Sequence, residues 1–198
     1  MRLDASIGKI KINAAKMVAI GIDGIAFYSY KRASRRKETE MAYVIFDLDG
    51  TVIDSRHRQA TKADGSLDLD HWLERNKPEL IMQDSLLPLA RVMRIIKRNG
   101  HKVIVCTARS YQIADEEFLW ANGLDYDVYL SRAAKGDMRD DASLKVQLLN
   151  DYFVGLGYRS VEAAKPMMFD DNLRVIDAMI AIGVTCYDAS IVNRRLAA

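Results

Sequence analysis

The stretch Tyr43-Val44-Ile45-Phe46-Asp47-Leu48-Asp49-Gly50-Thr51 limits what this chain can fold into more than any other. It opens as an unbroken apolar run rich in β-branched and aromatic residues. That pattern predicts a short strand buried on both faces, as at the centre of a parallel sheet. Two carboxylates follow where the strand should end. Residues i and i+2 of extended backbone point the same way, so Asp47 and Asp49 can share one small volume at the strand's C-terminal tip. Open α/β sheets place their ligands at such tips. Like charges that close repel unless a cation or a shared proton intervenes, so the pair asks for a hard divalent ion with oxygen ligands. Gly50 permits a sharp turn and Thr51 adds a hydroxyl. The plainer reading of D-x-D-G is an ordinary strand closed by an Asp-Gly turn, and the rest of the chain decides between the two.

Downstream, strand and helix signals alternate. A helix is expected over 84–99 with Gly100 as its cap, and a buried strand over 103–106 ends in Thr107-Ala108-Arg109-Ser110. A crossover helix over 111–122 and a strand over 126–130 follow. After the charged, turn-like 131–141 comes a helix over 143–155 with Lys145 in its first turn. A strand over 167–169 delivers Asp170-Asp171-Asn172, a helix covers 172–182, and a strand over 184–187 precedes a frayed tail at 191–198. The alternation predicts an α/β fold, a Rossmann-like parallel sheet with helices on both faces. Residues 53–82 interrupt it as a small cap insertion, with one short helix over 68–76 ended by Lys77-Pro78.

Residues 1–40 read differently. Lys9, Lys11, Lys16 and Asp23 break the apolar segment 7–30, so it lacks the uninterrupted span of a membrane helix, and it has no convincing signal-peptide cleavage site. Arg35-Arg36-Lys37-Glu38, all with purine-only codons available, lie just upstream of Met41, which immediately precedes the first strand. A start at Met41 with 1–40 as leader sequence is one expectation, and a basic N-terminal helix or tail is the other. The catalytic domain is expected over 41–190. Of 29 Lys/Arg and 27 Asp/Glu, residues 1–40 hold nine and four. The remainder is therefore slightly acidic, which argues against strong non-specific attraction to a polyanion. Cys106 and Cys186 lie in apolar runs without metal-ligand spacing, as buried free thiols would in a reducing compartment such as the cytoplasm.

F-D-L-D-G-T-V after a buried strand resembles the first motif of the haloacid-dehalogenase-like (HAD) phosphatases. The strand-end Thr107, a Lys in a later helix, and the acidic pair Asp170-Asp171 resemble that family's other three motifs, in order. The resemblance implies that Asp47 is a nucleophile forming an aspartyl-phosphate and that Asp49 is the general acid and base. It also implies a magnesium ion held by Asp47, the Asp49 backbone carbonyl and Asp170 or Asp171, with Asp170 favoured as the direct ligand. Thr107, Arg109 and Lys145 would stabilise the phosphoryl oxygens. Lys145 is preferred to Lys135 because 136–145 resembles one branch, the 3′-phosphatase domain of phage-type polynucleotide kinase/phosphatases. Three features carry that likeness: Arg58 eleven residues after Asp47, Thr107 with Arg109, and D-x-R-x-D-x-x-x-K formed by Asp137, Arg139, Asp141 and Lys145. In that branch, Arg58, Arg109 and Arg139 would help hold the phosphate and order the Lys. No G-x-x-x-x-G-K-[ST] occurs, so the branch's kinase domain has no counterpart here. The first reading is a phosphatase of 3′-phosphorylated nucleic-acid ends; the alternatives are a phosphatase of nucleoside monophosphates or other small esters, and a non-catalytic interaction module on the same scaffold.

Overall fold

A computed structural model describes residues 41–63, 68–132, 137 and 139–198, together with the backbone of 18–22 and 25–29. The chain divides into two compact units, Met1–Glu40 and Met41–Ala198. In the first, β1 (Val18–Ile22) pairs antiparallel with β2 (Ile25–Ser29), with Ile22 opposite Ile25. Alternating β-branched residues favour this hairpin over the helix considered above. The leader expected over 1–40 otherwise falls on residues outside the described ones.

The second unit is built around β3 (Tyr43–Phe46), at the centre of a parallel sheet. The antiparallel pair of β4 (Ile53–Asp54) and β5 (Ser85–Leu86) closes the neck of the cap, which carries α1 (Leu69–Arg75) and α2 (Pro78–Ile81). Then follow α3 (Leu89–Arg98), β6 (Lys102–Ser110), α4 (Ile113–Ala121), β7 (Val128–Arg132) and α5 (Asp141–Gly155). The unit ends with β8 (Met167–Asp170), α6 (Leu173–Ala181), β9 (Thr185–Asp188) and α7 (Ala189–Ala197). The sheet order is β7-β6-β3-β8-β9, all parallel. Successive strands move outward from β3 through β6 to β7, and the chain then restarts on the other side with β8. That reversal of strand order opens a crevice at the tips of β3 and β8.

Burial explains why β3 is central. Val44, Ile45 and Phe46 have no accessible surface. Ile45 joins Ile104, Cys106 and Met168 against Leu149 and Phe153 of α5 and Val175 and Met179 of α6. Alternation sends Val44 and Phe46 to the opposite face.

Two expectations need correction. The helix predicted over 84–99 starts only at Leu89, because Pro88 keeps the residue before it out of helical backbone. Ser85 and Leu86 instead pair with β4. The short helix does end before Lys77-Pro78, with Asn76 as the C-cap of α1, and Pro78 then opens the separate helix α2, where its missing N–H costs nothing. The frayed tail is the helix α7, capped by Asp188, whose side chain accepts from the N–H groups of Ser190 and Ile191. Val192 and Asn193 of α7 are buried.

Candidate active site

Asp47 leaves β3 with its N–H donated to the Phe169 carbonyl at 3.1 Å. The chain turns at Gly50, whose φ is +69°. A Cβ there would stand 2.1 Å from Oδ2 of Asp171, so both the backbone and the packed carboxylate demand glycine. The turn is clamped from far away in sequence. Asn193 Nδ2 donates to the Thr51 carbonyl at 2.9 Å, while its Oδ1 accepts from the Leu89 N–H at 2.8 Å. Thr51 Oγ1 is buried without a hydrogen-bond partner.

On one side of the tip, Asp47, Asp170 and Asp171 each present an oxygen within 4.8 Å of the others. Lys145 reaches them from α5, with Nζ 2.9 Å from Asp47 Oδ1 and 2.7 Å from Asp170 Oδ2. Asp140 caps that helix by accepting from the Ser143 N–H, so α5 starts two residues earlier than expected and Lys145 falls in its second turn. Burial drives the Asp47 carboxyl well above the usual range. Lys145 opposes the rise, and the charges of Asp170, Asp49 and Asp171 add to it. Asp171 is exposed as a residue, yet its carboxyl lies against Gly50, and desolvation followed by Asp170 lifts it to about 6. Three crowded hard oxygen donors with one ammonium among them fit a divalent cation of the magnesium class. Such an ion would supply the positive charge that ionises these acids and polarises a phosphoryl oxygen.

On the other side, the Asp49 carboxylate turns away from this cluster. Arg109 grips it with Nε at 2.8 Å and Nη2 at 2.6 Å, and the Ser55 hydroxyl donates to it as well. Burial raises the Asp49 pKa, but the charge and hydrogen bonds of Arg109 outweigh it and hold the carboxyl below the usual range. The Asp49 carboxylate is thus committed to Arg109 and Ser55 and lies outside the cluster of Asp47, Asp170 and Asp171. Arg109 also donates to Asp115 and, at 3.3 Å, to Asp84.

Arg58 requires a correction. The expectation was a substrate contact, but its side chain is fully buried. Nε and Nη2 donate to Asp84 at 2.8 and 2.7 Å, Nη1 donates to Asn76 at 3.1 Å, and the guanidinium lies over Trp72 at 4.5 Å. It braces Asp84, which in turn touches Arg109. Sequence reading missed Asp84, Trp72, Asp115 and Asn193, because each gains its partner through tertiary packing. Thr107 lies in β6, buried, its Oγ1 accepting from the Arg109 N–H at 3.3 Å.

Arg139 is exposed on the same cleft and is paired with Asp137 through Nε at 2.9 Å. Arg132 ties this segment down, donating to the carbonyls of Asp137 at 2.6 Å, Arg139 at 2.9 Å and Ala108 at 3.1 Å. Lys135, the alternative to Lys145, lies outside the described residues.

Paired carboxylates on two strand tips and a lysine on one helix of a parallel α/β fold define a class: the protein is an enzyme, an HAD-type phosphatase. Residues 35–198 match the family model of bacteriophage T5 5′-deoxynucleotidase, and the chain belongs to that family. A 5′-deoxynucleotidase from Escherichia phage T5 is 33% identical over 165 residues, covering 76% of this chain and 68% of the relative. Among solved structures, a chain of the Pnkp1/Rnl/Hen1 RNA repair complex is 25% identical with a TM-score of 0.51, covering 80% of this chain. This chain spans about half of that one, 46%. A haloacid dehalogenase-like hydrolase from Streptococcus pneumoniae, 10% identical, shares the fold with a TM-score of 0.54, over 74% of this chain and 83% of its own.

Proposed function

We propose that the protein hydrolyses deoxynucleoside 5′-monophosphates, with magnesium, through an aspartyl-phosphate on Asp47. One observation carries this reading: the 33% identity to a 5′-deoxynucleotidase runs over 165 residues, more than three quarters of this chain. Of the two substrate readings open from sequence, this favours the small ester. The burial of Arg58 points the same way, because it removes one of the arginines that had argued for a nucleic-acid end.

Asp47 attacks phosphorus and carries the phosphoryl group. Lys145 holds Asp47 and Asp170 in place by ion pairs and offsets charge on the transferring group. The phosphate dianion competes with Asp49 for the fork of Arg109. As Arg109 turns to the phosphoryl oxygens, Asp49 loses the partner that depresses its pKa and becomes able to protonate the departing 5′-oxygen. The same carboxylate then takes a proton from the water that cleaves the acyl phosphate. Thr107, on the same cleft as Arg109, offers its backbone and hydroxyl to the same oxygens in this reading, and Arg139 adds positive charge at the rim. Asp47, Asp170 and Asp171 are the residues that would hold magnesium.

Phosphate release by the full chain tests this, with and without magnesium, on deoxynucleoside 5′-monophosphates, the 3′-monophosphates and a 3′-phosphorylated oligonucleotide at matched concentration. Preference for the 5′-monophosphates is expected. Preference for the oligonucleotide end would overturn the reading in favour of the activity suggested by the likeness to the RNA repair complex.

A further inference from the structure

The groups described so far account for the phosphate, but the cleft is also lined by the aromatic Tyr111 and the apolar Leu73. Tyr111 follows β6 two residues after Arg109 and remains 48% exposed. It lines the same cleft as Leu73 of α1, which is 63% exposed. A lone exposed tyrosine is ordinary. This one is braced. Its hydroxyl donates to Glu116 Oε2 at 3.1 Å, and the other oxygen of that carboxylate accepts from Tyr126 at 2.8 Å. Its ring stands edge-on to Tyr129, with centroids 6.0 Å apart and planes at 81°. Tyr129 leans on Tyr126 at 5.6 Å. The backbone is fixed as well: the Tyr111 N–H donates to the Arg132 carbonyl at 3.3 Å, and Gln112 Nε2 donates to the Asn76 carbonyl at 2.8 Å. Holding an aromatic ring in one orientation costs side-chain entropy, and here the ring is held although the residue stays about half exposed.

Resting on the nucleotide reading above, we propose that Tyr111 is the stacking platform for the base of the substrate nucleotide, with Leu73 adding apolar surface from the cap. Extended backbone rises about 3.3 Å per residue, which sets the Tyr111 Cα roughly 7 Å from that of Arg109. Both residues line this one cleft, so a ligand with its phosphate on Arg109 has Tyr111 within the same cavity for its base. Every base has a π-face, so stacking of this kind accepts all of them with little preference. The site therefore takes the class of deoxynucleotides rather than one member.

The test compares KM for deoxynucleoside 5′-monophosphates with KM for 2-deoxyribose 5-phosphate, which lacks the base, in wild type, Tyr111→Ala and Tyr111→Phe. Loss of a base–aromatic stack is expected to shrink the preference for nucleotide, read as the ratio of the two KM values, by about tenfold in Tyr111→Ala. Tyr111→Phe, which keeps the ring, retains the preference. If Tyr111→Ala fails to fold, Tyr111→Leu puts the same question, keeping apolar bulk without an aromatic face. A ratio unchanged in the Ala and Leu variants overturns the inference while leaving the nucleotide reading intact. A wild type that hydrolyses the base-free ester but not the nucleotides overturns both.

Discussion

Asp47 and Asp49 share one strand tip, two residues apart, and their surroundings push their protons in opposite directions. Asp47 faces Asp170 and Asp171 with a single lysine to offset three carboxylates. Asp49 faces a buried mesh of Arg109, Arg58, Asp84 and Asp115, in which Arg58 and Arg109 both lie near Trp72. The carboxylate side is short of positive charge and stores repulsion that a cation or substrate machinery relieves. The arginine side is already paired: Arg58 and Asp84 are held before any ligand arrives, and Arg109 starts out committed to Asp49. Unbalanced charge on one side serves the nucleophile and a cation, while on the other Arg58 and Asp84 brace a pair, Arg109 and Asp49, that the proposed substrate must part.

The comparison can be broken first at Asp47. Asp47→Asn should lower turnover on the order of 10⁴-fold or more. Because it removes a crowded carboxylate, its thermal midpoint without magnesium should equal or exceed that of wild type. A drop in midpoint would place Asp47 with the structural side. Asp84→Ala should do the reverse. It strands the buried Arg58 guanidinium, and chemical denaturation should register a loss of about 3–5 kcal/mol. If this variant proves as stable as wild type, the arginine mesh does not brace the fold.

A pH series sharpens the contrast. Asp171, raised from 3.8 to about 6, and Asp47, also raised, keep protons in the folded chain that the unfolded chain has already lost. More protons bound to the folded state means that stability falls as pH rises. Metal-free protein should thus lose stability between about pH 4 and 6 and remain low above it. Magnesium should raise the thermal midpoint more at about pH 7.5 than at about pH 5, where protons compete for the same oxygens. Equal shifts at both values would show that these carboxyls do not hold the ion. The smallest effect belongs to the clamp from α7. Asn193→Ala leaves the Leu89 N–H and the Thr51 carbonyl without their partner, a cost of about 1–2 kcal/mol that a shift in urea midpoint would report.

Much of this was legible along the chain. The unbroken apolar run of 43–46 marked the central strand. Asp47, Asp170 and Asp171 meet because they stand at strand ends of the alternation, with Lys145 reaching them from the first two turns of α5. Thr107 instead lies within β6, which runs on to Ser110 where an end at Cys106 was expected. The helix start at Leu89 and the helix α7 were less legible. One depended on an antiparallel pairing between β4 and β5, and the other on packing against α3 and the strand ends, neither of which local propensity encodes.

Periodicity and residue type alone determined the α/β class, the order of the elements and the carboxylates that meet at the crevice, because a strand's period of two and a helix's of 3.6 fix which side chains share a face. Only the tertiary structure decided what each charge meets. Arg58 and Arg109 look equivalent in sequence, yet one is buried on Trp72 and committed to Asp84, while the other grips the carboxylate it must release. Electrostatic energy depends on distance and desolvation, and both are set by segments far apart in the chain that packing brings together.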